Sequence, residues 1–312
     1  MSFKVTVSPS GSRFEVGDDE FILEAALRQG VVLPYGCRDG ACGSCKARVL
    51  EGRIEQGQHS PKALAADEAA RGYALLCCSH ALSDLAVECR VVEAAGDIPI
   101  RRMPCRIASI ERPAPDVAVL VLQLPANERL QYLAGQYIEL LLKDGSRRSY
   151  SMASAPHLAD ARLELHVRHM PGGRFTDALF GASQPAIAVR DILRFEGPMG
   201  TFFLREDSDR PIVFVASGTG FAPVKAMVEH ARHAGIARPM TLYWGGRRPR
   251  DLYMNALAGQ WAHEIAGFRY VPVVSDALPE DDWHGRTGFV HRAVMADLPD
   301  LSGHQVYACG AP

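Results

Sequence analysis

Residues 35–45 read YGCRDGACGSC, and the reading of this stretch decides the fold of the N-terminal third. Three cysteines and three glycines share eleven positions in a 312-residue chain that holds eight cysteines in all. Around it the composition is that of an ordinary globular protein, with 47% hydrophobic and 22% charged residues. A net charge of -2 supplies no global attraction to nucleic acid or anionic lipid. The start, MSFKVTVSPS, lacks the basic region and apolar core of a signal peptide. VAVLVLQL at 117–124 falls far short of the roughly 20 apolar residues of a membrane helix. The expectation is a cytosolic protein, where a disulfide framework is out of place. Cys78, Cys89, Cys105 and Cys309 lie in apolar or strand-like surroundings and read as small buried hydrophobes.

The other four thiols are spaced for metal. Cys37-x4-Cys42-x2-Cys45 is followed, after 31 intervening residues, by Cys77. This is the ligand spacing of a [2Fe–2S] cluster of the C-x4-C-x2-C…C type, and thiolates are the soft ligands that such clusters favour. Glycines at 36, 40 and 43 let a short loop curl so that backbone N–H groups approach the sulfides. A structural zinc site would pair cysteines as C-x2–4-C twice, and adjacent Cys77 and Cys78 are a poor second pair. Cys77-x2-His80 imitates half of a Rieske motif, but no C-x-H partner stands upstream. The stretch LPYGCRDGACGSCKARVLEG, followed by ALLCCSH, resembles plant-type ferredoxins of the β-grasp fold. That resemblance implies that Cys37, Cys42, Cys45 and Cys77, rather than Cys78, are the ligands.

The chain divides into three textures. FKVTV and RFEV alternate as strands of a hairpin with SPSGS between them, and DDEFILEAALRQG follows as a helix stopped at Gly30. KARVLEGRIEQ and DLAVECRVVE are strand-like, and VEAAGDIPIRRMP reads as a linker. From Cys105 to about Leu204, CRIASIER, VAVLVLQL, YIELLLKD, RSYSMAS, RLELHVRH and ILRFEGP predict an antiparallel barrel or sandwich. From Pro211 the pattern changes. PIVFVAS, MTLYWG, FRYVPVVS and HQVYACG are short buried strands separated by helices, which predicts a parallel α/β sheet. The expected class is therefore multidomain α+β and α/β: a ferredoxin-like β-grasp domain at 1–94, a linker at 95–102, an antiparallel β-barrel domain at 103–206 and a parallel-sheet α/β domain at 207–312.

Two motifs in the middle region bear on phosphate binding. RRSYSMASAP at 147–156 offers Arg148 as a phosphate fork, Tyr150 as an aromatic face and small hydroxyls beside them. MPGGRFTDAL places Gly172, Gly173 and Thr176 at a helix start. Further on, VFVASGTGFAPVKAM is a strand, a glycine turn and a helix start, with Pro223 in the first helical turn. Its GTG lacks the spacing of the G-x-G-x-x-G fingerprint. Arg247, Arg248 and Arg250 suit a 2′-phosphate, yet an arginine run on a turn is also an ordinary solvated surface.

Together these motifs resemble the R-x-Y-S, G-G-x-x-[ST] and G-T-G-x-A-P motifs of the ferredoxin–NADP reductase superfamily, followed in that family's order by YWGGRRPRDLY and VYACG. The resemblance implies that Arg148, Ser149, Tyr150, Ser151, Val167, Gly172, Gly173 and Thr176 hold FAD, with FMN open on the residues alone. It implies that Gly218, Thr219, Gly220, Pro223, Arg247, Cys309 and Gly310 hold the nicotinamide nucleotide. NADH is expected, with NADPH open. Ser151, matching the residue at flavin N5, and Cys309, matching the residue near nicotinamide C4, are the expected catalytic pair. Family members continue past C-G-x-P, so the nucleotide-binding domain reads as C-terminally incomplete, with its last strand at a sheet edge.

The domain order resembles the reductase components of oxygenases and the CDP-6-deoxy-glucoseen reductases, and YWGGRRPRDLY favours the latter. The implied function is an NAD(P)H-dependent iron–sulfur flavoprotein reductase. Electrons pass from NADH to FAD to the [2Fe–2S] cluster to a one-electron-accepting partner protein, an oxygenase component or a CDP-sugar dehydratase. Two alternatives stand beside it: a reductase with its own small-molecule substrate, and a non-catalytic iron–sulfur docking module.

Overall fold

The alternating hairpin at the N-terminus starts a mixed sheet. The computed structural model describes residues 2–95, 98–158 and 161–310, and they cluster into two units. The first holds residues up to 99 together with 199–202. Its elements are β1 (Ser2–Ser8), β2 (Arg13–Gly17), α1 (Ile22–Arg28), β3 (Lys46–Glu51), β4 (Ile54–Gln56), α2 (Ala66–Ala70), β5 (Tyr73–Leu75), β6 (Ser79–Ala81) and β7 (Leu85–Glu88). Five strands form one sheet in the order β2-β1-β7-β3-β5, in which β1 and β7 are parallel and the other pairs antiparallel. α1 buries Ile22, Leu23, Ala25 and Ala26; the period places Phe21 with Ile22, Ala25 and Ala26, but Phe21 stands before the first helical residue and Leu23 takes its place in the core. It ends where Gly30 turns to φ +78 and donates its N–H to Leu27.

The second unit holds two architectures. The antiparallel part comprises β8 (Arg101–Ala114), β9 (Val117–Gln123), β10 (Tyr137–Leu141), β11 (Arg147–Ser151), β12 (Arg162–Arg168), α3 (Arg174–Phe180) and β13 (Ile192–Met199). The sheet order is β11-β10-β13-β8-β9-β12. A bridge between Met152 and Leu165 brings the two ends together, so the sheet closes as a barrel. β8 begins at Arg101, inside the stretch expected as linker. The reason is alternation: Met103, Cys105 and Ile107 point into the core while Arg102, Pro104 and Arg106 point out. The paired arginines that suggested a linker are one end of a strand.

The parallel part comprises β14 (Ile212–Ser217), α4 (Phe221–His233), β15 (Met240–Gly246), α5 (Asn255–Glu264), β16 (Phe268–Val274), β17 (Arg286–Thr287), α6 (Val290–Asp297) and β18 (Gln305–Cys309). Its order is β17-β16-β15-β14-β18, with every pair parallel. β14 is central, so the glycine turn at its C-terminal end opens beside the neighbouring strand ends, where ligands bind in such sheets. α4 buries Val224, Met227, Val228 and Ala231 completely, and each large side chain contributes about 1.5–3 kcal/mol.

Candidate functional site

The cysteine loop runs from the end of α1 to β3. Two of its glycines are dictated by backbone: Gly40 and Gly43 have φ of +76 and +77. A Cβ on Gly40 would lie 3.0 Å from the Gln58 carbonyl, and one on Gly36 would lie 3.1 Å from Cys42 Sγ. Arg38 also takes a positive φ, 64°, with no glycine to ease it, so the loop is held by its surroundings.

The thiols come as two pairs. Cys37 and Cys42 exchange backbone contacts, with Cys37 N–H donating to Cys42 Sγ at 3.4 Å and Cys42 N–H to Cys37 Sγ at 3.3 Å. Hydrogen bonding with Cys37 draws Cys42 down to about 5, and the same bond pushes Cys37 up. Cys45 and Cys77 form the second pair: their bond draws Cys77 down to about 7 and pushes Cys45 up. Among the described residues no group of three or more His, Cys, Asp or Glu side chains is placed to hold a single ion. Two thiol pairs fit the four-cysteine ligand set of a [2Fe–2S] cluster. Cys78 bonds its neighbour Cys77 but not Cys45; its sulfur also accepts from Gln56 Nε2 at 3.2 Å, and burial first, then Cys77, push it up to about 12. The His80 ring lies against Phe21, centroids 4.5 Å apart and tilted by 35°.

In the second unit a cleft forms between the barrel and the parallel sheet. Arg148, Ser149, Tyr150 and Ser151 line it from β11, and Gly173 and Thr176 from the start of α3. Thr219, Gly220, Cys309 and Gly310 line it from the opposite side. Strand alternation sorts the two arginines. Arg147 is bound to Glu139 at 2.9 Å and to Glu196 at 2.6 Å, whereas Arg148 pairs with no carboxylate among the described residues. The Tyr150 ring lies 5.6 Å from that of Phe175, and the Ser151 hydroxyl has no partner among the described residues. A guanidinium without a counterion, a ring and an unused hydroxyl fit a flavin with its phosphate. Cys309 is pushed up to about 11 by burial, so it stays a neutral thiol.

Val167, Gly172, Gly218, Pro223 and Arg247 stand apart from the cleft lining. Val167 is fully buried in the barrel core, and Pro223 is buried in α4. Gly172, at φ +82, donates its N–H to Asp177. The Gly218 carbonyl accepts from Trp244 Nε1 at 3.0 Å. Arg247 is exposed beyond β15, and Arg248 is clamped by Asp281 at 2.6 and 2.8 Å. Thr176 is buried with its hydroxyl spent on the turn, donating to the Met170 carbonyl at 2.9 Å. Gly220 has a reason the motif did not show: a Cβ there would fall 2.1 Å from the Cys309 carbonyl.

His166, Arg168, Met170, Phe175 and Ala222 also line the cleft and were not anticipated. His166 and Arg168 lie on an alternating strand, where a polar residue reads as solvent-facing. Partners that the pattern did not show hold them: Arg168 binds Asp116, in the turn between β8 and β9, at 2.7 Å.

Comparison with known proteins agrees with this geometry. Residues 5–82 match the 2Fe-2S iron-sulfur cluster binding domain, 104–204 the oxidoreductase FAD-binding domain and 214–312 the oxidoreductase NAD-binding domain. The chain is 42% identical over 311 residues to CDP-6-deoxy-L-threo-D-glycero-4-hexulose-3-dehydrase reductase of Yersinia pseudotuberculosis serotype I (strain IP32953), covering 100% of this chain and 91% of the relative. The chain belongs to the iron–sulfur flavoprotein reductase family. The reductase is also 34% identical to terephthalate 1,2-dioxygenase, reductase component 1, of Comamonas sp., covering 100% of this chain and 90% of the relative. Among solved structures it matches the Amycolatopsis cytochrome P450 reductase GcoB with a TM-score of 0.73 and 35% identity, over 98% of this chain and 90% of that one. The reductase is thus an oxidoreductase whose domains bind a [2Fe–2S] cluster, FAD and NAD. Among its described residues no helix is long and apolar enough to cross a membrane.

Proposed function

We propose that the chain takes electrons in pairs from NADH and delivers them singly to a separate protein. The observation that carries this is the convergence in one cleft of Arg148, Tyr150 and Ser151 with Thr219 and Cys309, in a chain that also carries two thiol pairs. In this reading residues 1–94 carry the cluster, 103–206 the flavin and 207–312 the nucleotide. When bound, the flavin accepts hydride from the nicotinamide and the cluster carries one electron at a time, which converts a two-electron donor into a one-electron one.

The residues supply position and charge. Cys37 and Cys42 would hold one iron, and Cys45 and Cys77 the other. Arg148 offers two charge-assisted donors to phosphate, Tyr150 covers an apolar ring face, and Ser151 presents its hydroxyl within the cleft. Cys309 places a small neutral thiol on the opposite wall of the cleft. Cys42 is exposed while Cys45 and Cys77 are buried, so the first pair gives a partner its point of close approach.

The partner is a one-electron acceptor. The greater identity to the CDP-sugar dehydrase reductase, 42% against 34% for the dioxygenase component, favours a dehydrase of a CDP-linked sugar over an oxygenase. Eight free thiols favour a reducing, cytoplasmic setting. The test is anaerobic titration of the purified protein with NADH, followed by absorbance and electron paramagnetic resonance. Bleaching of flavin together with a reduced [2Fe–2S] signal is expected. Cofactors that stay oxidised until dithionite is added would refute the nicotinamide end of the reading, with NADPH as the control.

A further inference from the structure

The two walls of the cleft come from different parts of the chain, and a buried polar chain behind them ties the walls together. The His166 side chain has no exposed surface, yet both ring nitrogens are bonded. Nε2 lies 2.7 Å from Glu164 Oε1, and Nδ1 lies 2.7 Å from the Tyr253 hydroxyl. Because a carboxylate can only accept, Nε2 carries the proton and Nδ1 accepts from Tyr253. Glu164 also meets Lys225 Nζ at 3.3 Å, and Lys225 meets Glu229 at 3.0 Å. Glu164 and His166 stand on barrel strand β12; Lys225, Glu229 and Tyr253 belong to the nucleotide-binding half.

An apolar seam could slide. A buried polar chain has one satisfied register, since any slip strands a desolvated group. This register is passed to the cleft. The Tyr253 ring meets Trp244 edge-on at 5.3 Å, and Trp244 stacks on Phe221 at 3.9 Å while donating to the Gly218 carbonyl. Phe221 is the first residue of α4, directly after the Gly218–Gly220 turn. Contacts therefore run unbroken from Glu164 to the glycine turn.

We propose that the His166–Tyr253 hydrogen bond is a positioning device that holds the glycine turn and Cys309 at the spacing from the flavin-side residues that hydride transfer requires. His166 and Tyr253 are positioning residues, acting through Trp244 and Phe221. The proposal rests on the functional reading above. Its physical basis is the steep distance dependence of such reactions, in which about 1 Å of misplacement costs about a hundredfold in rate.

The test uses the holoprotein and Tyr253→Phe, which keeps the ring against Trp244 and removes only the hydroxyl. Two quantities are measured: the stopped-flow rate of flavin bleaching by NADH, and amide hydrogen exchange across 216–222. Bleaching at saturating NADH should slow about tenfold, with the half-saturating concentration moved by no more than about twofold. Flavin and cluster content should match the parent protein, and exchange across the turn should accelerate. Adding His166→Asn to Tyr253→Phe should slow bleaching by clearly less than the product of the two single effects, because the two variants remove one shared bond. A bleaching rate within about twofold of the parent, with exchange unchanged, overturns the proposal, as do losses that multiply in the double variant. Should Tyr253→Phe fail to fold, Glu164→Gln, which loosens the grip on Nε2 at constant volume, must slow bleaching and speed exchange, or the proposal falls. A parent protein that holds no flavin or ignores NADH would overturn the functional reading instead. The exchange comparison would still decide whether the pair holds the turn.

Discussion

The Arg147 guanidinium lies 2.9 Å from the Glu139 carboxylate, which is nearly buried, while its neighbour Arg148 lines the cleft without a carboxylate partner. One residue along a strand thus separates an arginine paired with carboxylates from one that lines the cleft. Arg148→Ala is expected to weaken flavin retention by about tenfold or more, the worth of a charged hydrogen bond, with little effect on folding. Arg147→Ala should keep its flavin and lose about 1–2 kcal/mol of stability, because Glu139 is left unpaired beside a half-exposed site. Flavin content after gel filtration and denaturant unfolding distinguish the two, and a reversed pattern would refute the assignment.

Cys77 and Cys78 are adjacent, but only Cys77 shares a hydrogen bond with Cys45. Cys77→Ser should abolish the visible absorbance of the cluster and its acid-labile sulfide, leaving flavin bound. Cys78→Ser should retain both iron and sulfide. Loss of the cluster in the second variant rather than the first would show that the loop closes on the other thiol.

Gly220→Ala places a methyl where the Cys309 carbonyl already lies, 2.1 Å away. The start of α4 and the end of β18 must then part, at a cost of about 2–4 kcal/mol. Labelling of Cys309 by a thiol reagent should become faster than in the parent. Unaltered stability and labelling would mean that this close approach is not required.

His166 is held below the ordinary histidine value of 6.5, chiefly by burial and further by the Lys225 charge, with Glu164 pulling the other way. The unfolded chain therefore takes up the proton first. The stability this group contributes is full above about 6.5 and is lost as pH falls through the lower folded value. The melting temperature of the parent should decline between about pH 7 and 5, and His166→Gln should decline less steeply. Equal slopes in the two proteins would show that His166 does not titrate on unfolding.

Much of this was legible along the chain because the signals are local. The x4 and x2 spacings of Cys37, Cys42 and Cys45 act within one loop, and Gly30, Gly40 and Gly43 sit where the backbone turns to positive φ. Alternation predicted all six barrel strands, although it left Arg101 and Arg102 looking like a linker. Residues whose role lies in distant partners were illegible. Val167 shares a strand with two cleft residues but faces the core, and His166 has the pattern of a surface residue until Tyr253, 87 positions away, packs against it.

The sequence by itself determined the cofactor-bearing motifs, the order of the three architectures and the turns that join them. These depend on residue type and short spacing, which the chain carries before it folds. Only the tertiary structure decided which carboxylates hold Arg147, why Gly220 bears no side chain, and what holds the walls of the cleft in register. Those outcomes depend on which atoms are left unpaired when strands close and helices pack. Desolvation makes an unpaired buried group costly, and its partner is chosen in space rather than along the chain.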